Sequence, residues 1–292
     1  MDTKLTIFTP AYNRAYTLPT LYESLLEQTC KDFIWIIVND GSSDNTDKVV
    51  SEWLCDNKVN IIYQEQTNQG KMSAHNTGVT MCTTEYFVCV DSDDHLVPDA
   101  VEYIYSQLDK CESKQYAGLV AYRGTDSNTP IGNEFPTGLY DKSLSGLYQL
   151  GFKGDTTLVF KTSVLQKYPF PVLDDEKFIS EAYVYDQIDR SYTLILSPKV
   201  ITICEYLPDG LTRNGMSLVL NNPGGWAMVH CQKANFADNF KTRFKNYAWA
   251  ISYKLMKRGT PVYLQPQWKL AYFLALPLGA ILYLRRIIVH RK

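Results

Sequence analysis

What this chain of 292 residues lacks narrows it first. Residues 241–292 hold no Asp or Glu at all, against 11 Lys and Arg. The preceding 240 residues carry the opposite sign, 18 basic against 31 acidic, a balance of −13. A basic end on an acidic body predicts that this end meets an anionic surface, while no nucleic-acid partner is expected. Paired cysteines are missing too. The seven Cys (30, 55, 82, 89, 111, 204, 231) are odd in number, scattered, and form no Cys-x-x-Cys, so neither a disulfide framework nor a zinc knuckle is indicated. The opening MDTKLTIFTPAYNR has neither the basic start nor the long apolar stretch of a secretory leader. Together these absences predict a reduced, cytoplasmic location, peripheral on the inner face of the cell membrane. No repeat or low-complexity tract appears. A composition 45% hydrophobic and 21% charged then leaves a globular protein of one large domain or two small ones.

What is present is an alternation of strand and helix signals over residues 1–125. KLTIFTP ends in Pro10, and Leu18, Leu21, Tyr22, Leu25 and Leu26 follow at helical spacing. DFIWIIVND, VNIIYQEQ, EYFVCVD and AGLVAYR read as further strands. Helices are predicted from Lys71 and over Pro98–Lys110, with Pro98 suited to a first helical turn. Such alternation predicts an α/β fold with a mostly parallel sheet covered on both faces, its ligands at the carboxyl ends of the strands. Tyr12, Asp40 and Asp91 all fall at such ends. Residues 126–215 are less regular, with a strand in TLVFKTSVL, a helix around SEAYVYDQIDRSY and strands in TLILSPKVITICEY. From Trp226 the reading is helical. The domains expected are 1–215, split into halves 1–125 and 126–215, and a helical, basic extension (216–292).

The stretch VDSDDHLVP concentrates Asp91, Asp93 and Asp94 behind an apolar run. An EF-hand loop is excluded because Leu96 stands where Gly is needed and Pro98 sits mid-loop. A haloacid-dehalogenase arrangement is disfavoured because that motif lies on a first strand. Two carboxylates at i and i+2 just beyond a strand suit Mg²⁺ or Mn²⁺, which take hard oxygen ligands.

Three segments, FTPAYNRAYTLPTLYESLLEQTCKDFIWIIVNDGSSDNT, QTNQGKMSAHNTGV and FVCVDSDDHLVPDAVE, occur in an order and spacing that resembles the family 2 glycosyltransferases, inverting enzymes of the GT-A fold. The resemblance implies a metal-dependent transfer from a nucleoside diphosphate sugar, with UDP favoured, to a saccharide or polyprenyl-linked acceptor in surface polysaccharide synthesis. It implies that Pro10, Ala11, Tyr12 and Asp40 cradle the base, by ring stacking and by acceptance of a ring N–H. Arg14 and Lys71 are expected near phosphate, Asp91 with Ser92 at the ribose, and Asp93 on the metal, with Asp91 or His230 as further ligand candidates. Asp94 and Asp155 are expected on the sugar or acceptor side, and the resemblance makes 1–125 the nucleotide-sugar-binding half and 126–215 the acceptor-side half. The general base is aligned with Glu181, with Asp186 as the alternative and Asp174–Glu176 as a weaker rival. A nucleotidyltransferase and a non-catalytic sugar-nucleotide-binding module are the competing classes. The first lacks its Gly-rich basic loop here, and the second is disfavoured by Asp40, Asp91 and Asp93.

Lastly, KLAYFLALPLGAILYLRRIIVHRK holds fifteen uncharged residues, 270–284, interrupted by Pro277. A spanning helix needs about 20 apolar residues. With Arg285, Arg286, His290, Arg291 and Lys292 behind it, this stretch is expected to be an interfacial anchor.

Overall fold

Continuous apolar runs such as Ile34–Val38 suit strands that are covered on both faces. In the computed structural model, which describes residues 3–204 and 215–290, these runs lie side by side. Strands β1 (Leu5–Ala11), β2 (Phe33–Asn39), β3 (Ile61–Glu65) and β4 (Tyr86–Cys89) pair in parallel in the order β3-β2-β1-β4. The crossovers are α1 (Leu18–Leu26), α2 (Thr46–Asp56) and α3 (Lys71–Met81). Helix α1 buries Leu18, Leu21, Tyr22 and Leu25, the face its spacing predicts, and Tyr22 stacks on Trp53 of α2 with ring centroids 4.3 Å apart.

Beyond β4 follow β5 (Asp94–Leu96), α4 (Ala100–Leu108), β6 (Tyr116–Asp126), β7 (Thr129–Pro130), β8 (Asp141–Lys142), α5 (Leu144–Gln149), β9 (Thr156–Lys161), α6 (Thr162–Leu165), α7 (Ala182–Ile188) and β10 (Thr193–Cys204). The sheet continues from β4 as β9-β6-β10-β5, with β7 and β8 added at the edges of β6 and β10. Strand β10 is parallel to β6, whereas β9 runs antiparallel to both β4 and β6. The mixed sheet is therefore mostly parallel and flanked by helices, as the alternation implies. The run TLVFKTSVL turns out to be half strand and half helix.

The described residues form two compact units. One contains the chain up to Pro169 and again from Val184 to the end of β10. The other joins Phe170–Tyr183 to α8 (Gly215–Asn221), α9 (Pro223–Phe236), α10 (Phe240–Met256) and α11 (Lys269–His290). Residues 170–183, expected in the acceptor-side half, thus belong with the C-terminal helices. Asn222 Oδ1 accepts the N–H groups of Lys177 and Phe178, each at 3.0 Å, and Gln232 Nε2 donates to the carbonyl of Tyr183 at 2.8 Å. The buried Glu176 carboxylate accepts from Gly224 N (2.7 Å) and Gly225 N (2.8 Å), where the amino end of α9 favours a negative charge. Lys257 Nζ stands 3.2 Å from the same carboxylate and also pairs with Asp175. The core of this unit is Tyr247, Ala248 and Ile251 of α10 against Ala271 and Ala275 of α11.

Candidate active site

The site is assembled where β1, β2 and β4 end. Asn13 adopts a left-handed φ of 54° just after β1, and two turns clasp each other there. Asn13 N donates to Ser42 Oγ (2.9 Å), Ser43 N to Asn13 Oδ1 (2.8 Å), Arg14 N to Thr46 Oγ1 (3.0 Å) and Ala15 N to Asp44 Oδ2 (3.0 Å). This clasp leaves the Tyr12 ring 48% exposed at the strand end, beside buried Ala11 and half-buried Pro10. Arg14 lies near its own turn, its guanidinium 5.9 Å from the Tyr16 ring.

Asp40 directly follows β2. Its carboxylate is only 3% exposed and accepts three hydrogen bonds: Gln66 Nε2 (2.8 Å) and Gln69 N (2.9 Å) on one oxygen, Gly70 N (2.7 Å) on the other. Gly70 has φ 92°, a conformation that disfavours side chains, and it opens α3. Asp40 therefore fixes this turn and the start of α3, and three bonds leave one acceptor site of its carboxylate, on Oδ2.

The acidic turn follows β4. Val90 N donates to Phe8 O (2.9 Å), and Asp94 N to Asp91 O (3.0 Å), which closes the turn over buried Ser92. Lys71, the first residue of α3, places its Nζ 2.7 Å from Asp91 Oδ1. Arg123, on β6, reaches both Asp91 (3.6 Å) and Asp94 (3.1 Å). Burial opposes ionisation of Asp91, but the Lys71 and Arg123 charges outweigh it and hold its pKa below the usual range. Asp94 is raised, chiefly by burial, and Arg123 only partly offsets its acidic neighbours. The Cys204 thiol also bonds the Asp94 carboxyl, whose Oδ2 faces the Arg123 guanidinium. Asp93 is half-buried and raised as well, by burial and by Asp91 beside it, and has no ion-pair partner among the described residues.

These features test the site for a divalent cation. Among the described residues no three His, Cys, Asp or Glu converge into a protein-only cage. The donor set does fit Mg²⁺ or Mn²⁺, which bind one or two carboxylates and complete their shell with phosphate oxygens and water. Asp93 would hold the ion. Lys71 and Arg123 already neutralise Asp91.

The remaining expectations divide. Glu181 directly precedes α7 and Asp186 lies within it, both half-buried. Asp155 is exposed just before β9. Of the rival base set, Asp175 and Glu176 are bound to Lys257 and to the start of α9, while Asp174 is exposed. His230 is likewise not placed as a metal ligand. Its Nδ1 pairs with Asn246 Oδ1 at 2.9 Å, its ring stacks 5.4 Å from Tyr253, and burial lowers its pKa. Arg123 was missed. Its signal is a lone cation in the otherwise apolar run AGLVAYRG, since a charge on a buried strand requires an acidic partner.

The model of the family described as "Glycosyl transferase family 2" matches residues 6–169, more than half of the chain. The chain belongs to that family. The glycosyltransferase GlyG of Streptococcus pneumoniae serotype 4 is 30% identical over 130 residues, 44% of this chain and 43% of GlyG. The chain spans 15% and 43% of the length of the first two curated relatives it matches. In fold, the family 2 chain is similar to Staphylococcus aureus TarS 1–349 in complex with UDP-GlcNAc, with a TM-score of 0.62, 16% identity, and coverage of 96% of this chain and 81% of that one. It is also similar to the mannosyltransferase PcManGT from Pyrobaculum calidifontis in complex with GDP-Man and Mn²⁺, with a TM-score of 0.55, 18% identity, and coverage of 96% and 73%.

Proposed function

We propose that this family 2 protein is an inverting, metal-dependent glycosyltransferase, using a nucleoside diphosphate sugar, with UDP favoured, and a saccharide or polyprenyl-linked acceptor in surface polysaccharide synthesis. The observation that carries this reading is the acidic turn. Asp93 is a half-buried carboxylate with no ion pair among the described residues, next to a paired Asp91 and at a strand end adjacent to the exposed Tyr12. Solved relatives of the same fold bind UDP-GlcNAc and, with Mn²⁺, GDP-Man. Tyr12 stacks on the base, and Asp40 keeps the 66–70 turn closed around it. Asp91, held ionised by Lys71 and Arg123, accepts a ribose hydroxyl. Asp93 holds the cation, which when bound offsets the charge that develops on the diphosphate as the sugar–phosphate bond breaks. Glu181, with Asp186 as the alternative, takes the proton of the acceptor hydroxyl as it attacks the anomeric carbon from the opposite face. The acid-free C-terminus keeps the enzyme at the inner face of the membrane, where a polyprenyl-linked acceptor is found.

The test is turnover by the full chain across a panel of UDP- and GDP-sugars with Mn²⁺, Mg²⁺ or EDTA. Metal-dependent release of nucleoside diphosphate, lost in Glu181→Gln with donor affinity retained, is the expected result. Formation of nucleoside triphosphate and sugar 1-phosphate when pyrophosphate is added would make the protein a nucleotidyltransferase, and donor binding without turnover would make it a binding module.

A further inference from the structure

Helix α11 has two apolar faces with different fates. Ala271, Ala275 and Gly279 lie against α10, and a Cβ on Gly279 would stand 2.6 Å from Ile251 Cγ2 and 3.0 Å from Ala248 O. Only glycine permits that approach. On the other face Leu270, Phe273, Leu274, Ile281, Leu284 and Ile288 are 50–73% exposed and recur at helical spacing as one stripe. Lys269 adjoins the stripe at its start, and Arg285 lines a shallow depression with Ile281, Leu284 and Ile288 near its end.

Both ends of α11 are fastened to α10. The Arg243 guanidinium lies 3.9 Å from the Trp268 ring centroid, just ahead of α11. Near its other end Arg286 stacks 4.1 Å from Tyr253 and donates to its hydroxyl at 2.8 Å. Arg286, expected among the lipid-facing cations, is thus engaged within the protein, and Arg291 and Lys292 lie outside the described residues. Tyr247 meets Tyr272 and Tyr253 meets Arg286, so the two helices run in the same direction, side by side.

That pairing decides between two membrane geometries. By length and composition α11 could cross a bilayer. A crossing α11 would carry α10 with it, and α10 exposes Lys245 and Lys254. These stand roughly 13 Å apart along the axis, well inside a hydrocarbon core about 30 Å thick. At least one ammonium would then be placed in lipid, which is strongly unfavourable. We propose that α11 lies in the plane of an anionic lipid surface. Its outer stripe inserts among the acyl chains to partial depth, and Lys269, Arg285 and the lysines of α10 contact the headgroups. This rests on the membrane-associated transferase proposed above and specifies its contact. A lipid partner is favoured over a second copy by charge, because residues 241–292 are basic throughout and offer no acid to a like-charged twin.

Flotation of the full chain with phosphatidylcholine vesicles, with and without phosphatidylglycerol, tests this without requiring turnover. We expect binding that depends on the anionic lipid, release by alkaline carbonate, and at least a tenfold lower partition for Phe273→Ser/Ile281→Ser/Ile288→Ser. These exposed positions leave the fold in place, and an unchanged thermal shift with UDP and Mn²⁺ verifies it. Lys269→Gln/Arg285→Gln should remove the preference for anionic vesicles. Carbonate-resistant association would show a spanning helix and overturn the proposal. So would a wild-type dimer that the triple variant splits, or vesicle binding unaffected by the triple variant. A family 2 chain with no turnover but with these flotation results would defeat the transferase reading alone.

Discussion

Two acidic triplets of nearly the same composition, Asp91–Asp94 after β4 and Asp174–Glu176 ahead of α7, have opposite surroundings. In the helical unit, Glu176 is buried with two backbone N–H groups and the Lys257 ammonium upon it, and Asp175 shares that ammonium. In the sheet unit, two cations serve Asp91 and Asp94, and Asp93 has none among the described residues. The first cluster is complete as it stands and contributes to stability. The second is left with carboxylate charge that a ligand can complete. Buried acid alone does not mark a site; the count of partners around it does.

The largest effect should come from the incomplete cluster. Asp93→Ala is expected to lower metal-dependent transfer by at least about 1000-fold, ~4 kcal/mol in the barrier, because it removes the seat of a Lewis acid. Its melting temperature should stay level or rise, since a repelling charge is gone. A fall in melting temperature matching that of a core mutation would break the contrast. Next comes the complete cluster. Lys257→Met leaves Glu176 buried without its cation and should destabilise the helical unit by about 3 kcal/mol in urea unfolding. Adding Glu176→Gln removes the unpaired charge but sets its amide NH₂ against Gly224 N or Gly225 N, so only part of that loss should be recovered; no recovery would mean that Lys257 acts by packing alone.

Asp40→Asn places an amide against donor N–H groups and should cost about 2 kcal/mol. The same change should weaken nucleotide binding in calorimetry through the loosened 66–70 turn. The smallest effect is pH dependence. The hydrogen bond from Lys257 depresses Asp175 below its ordinary 3.8. Its contribution is present above that value and lost as pH falls through the folded-state pKa. Burial opposes the charge on Lys257, but bonds to Asp175 and Glu176 win and raise its pKa above 10.5. That contribution is complete below 10.5 and lost as pH rises through the folded value. The thermal midpoint of wild type should therefore decline at both extremes, and Lys257→Met should flatten both limbs.

Much of this was legible along the chain. Apolar runs ending at Pro10, Asn39 and Val90 announced strands whose ends carry the site, and the helical spacing from Leu18 announced α1. The direction of β9 was not legible, because a hydrophobic run looks the same in either orientation. The attachment of residues 170–183 to the C-terminal helices depends on bonds from Glu176 and Asn222 to partners more than forty residues away, and no local pattern encodes them. The structural work of Asp40 was not legible, since its three donors come from a turn nearly thirty residues later. His230 looked available as a ligand because Asn246 and Tyr253 are distant in sequence.

The hold of Asp40 on Gly70 also bears on how this protein tolerates change. It ties together the two ends of an excursion formed by α2 and β3, so the stretch between them is a closed detour. At its far side residues 54–58 are exposed, and Asn57 turns the chain with a left-handed φ of 50°. Doubling a loop there costs only about 0.6 kcal/mol of closure entropy. The detour can lengthen, acquire a tag or diverge between relatives, and the turn that opens α3 stays where Asp40 fixes it.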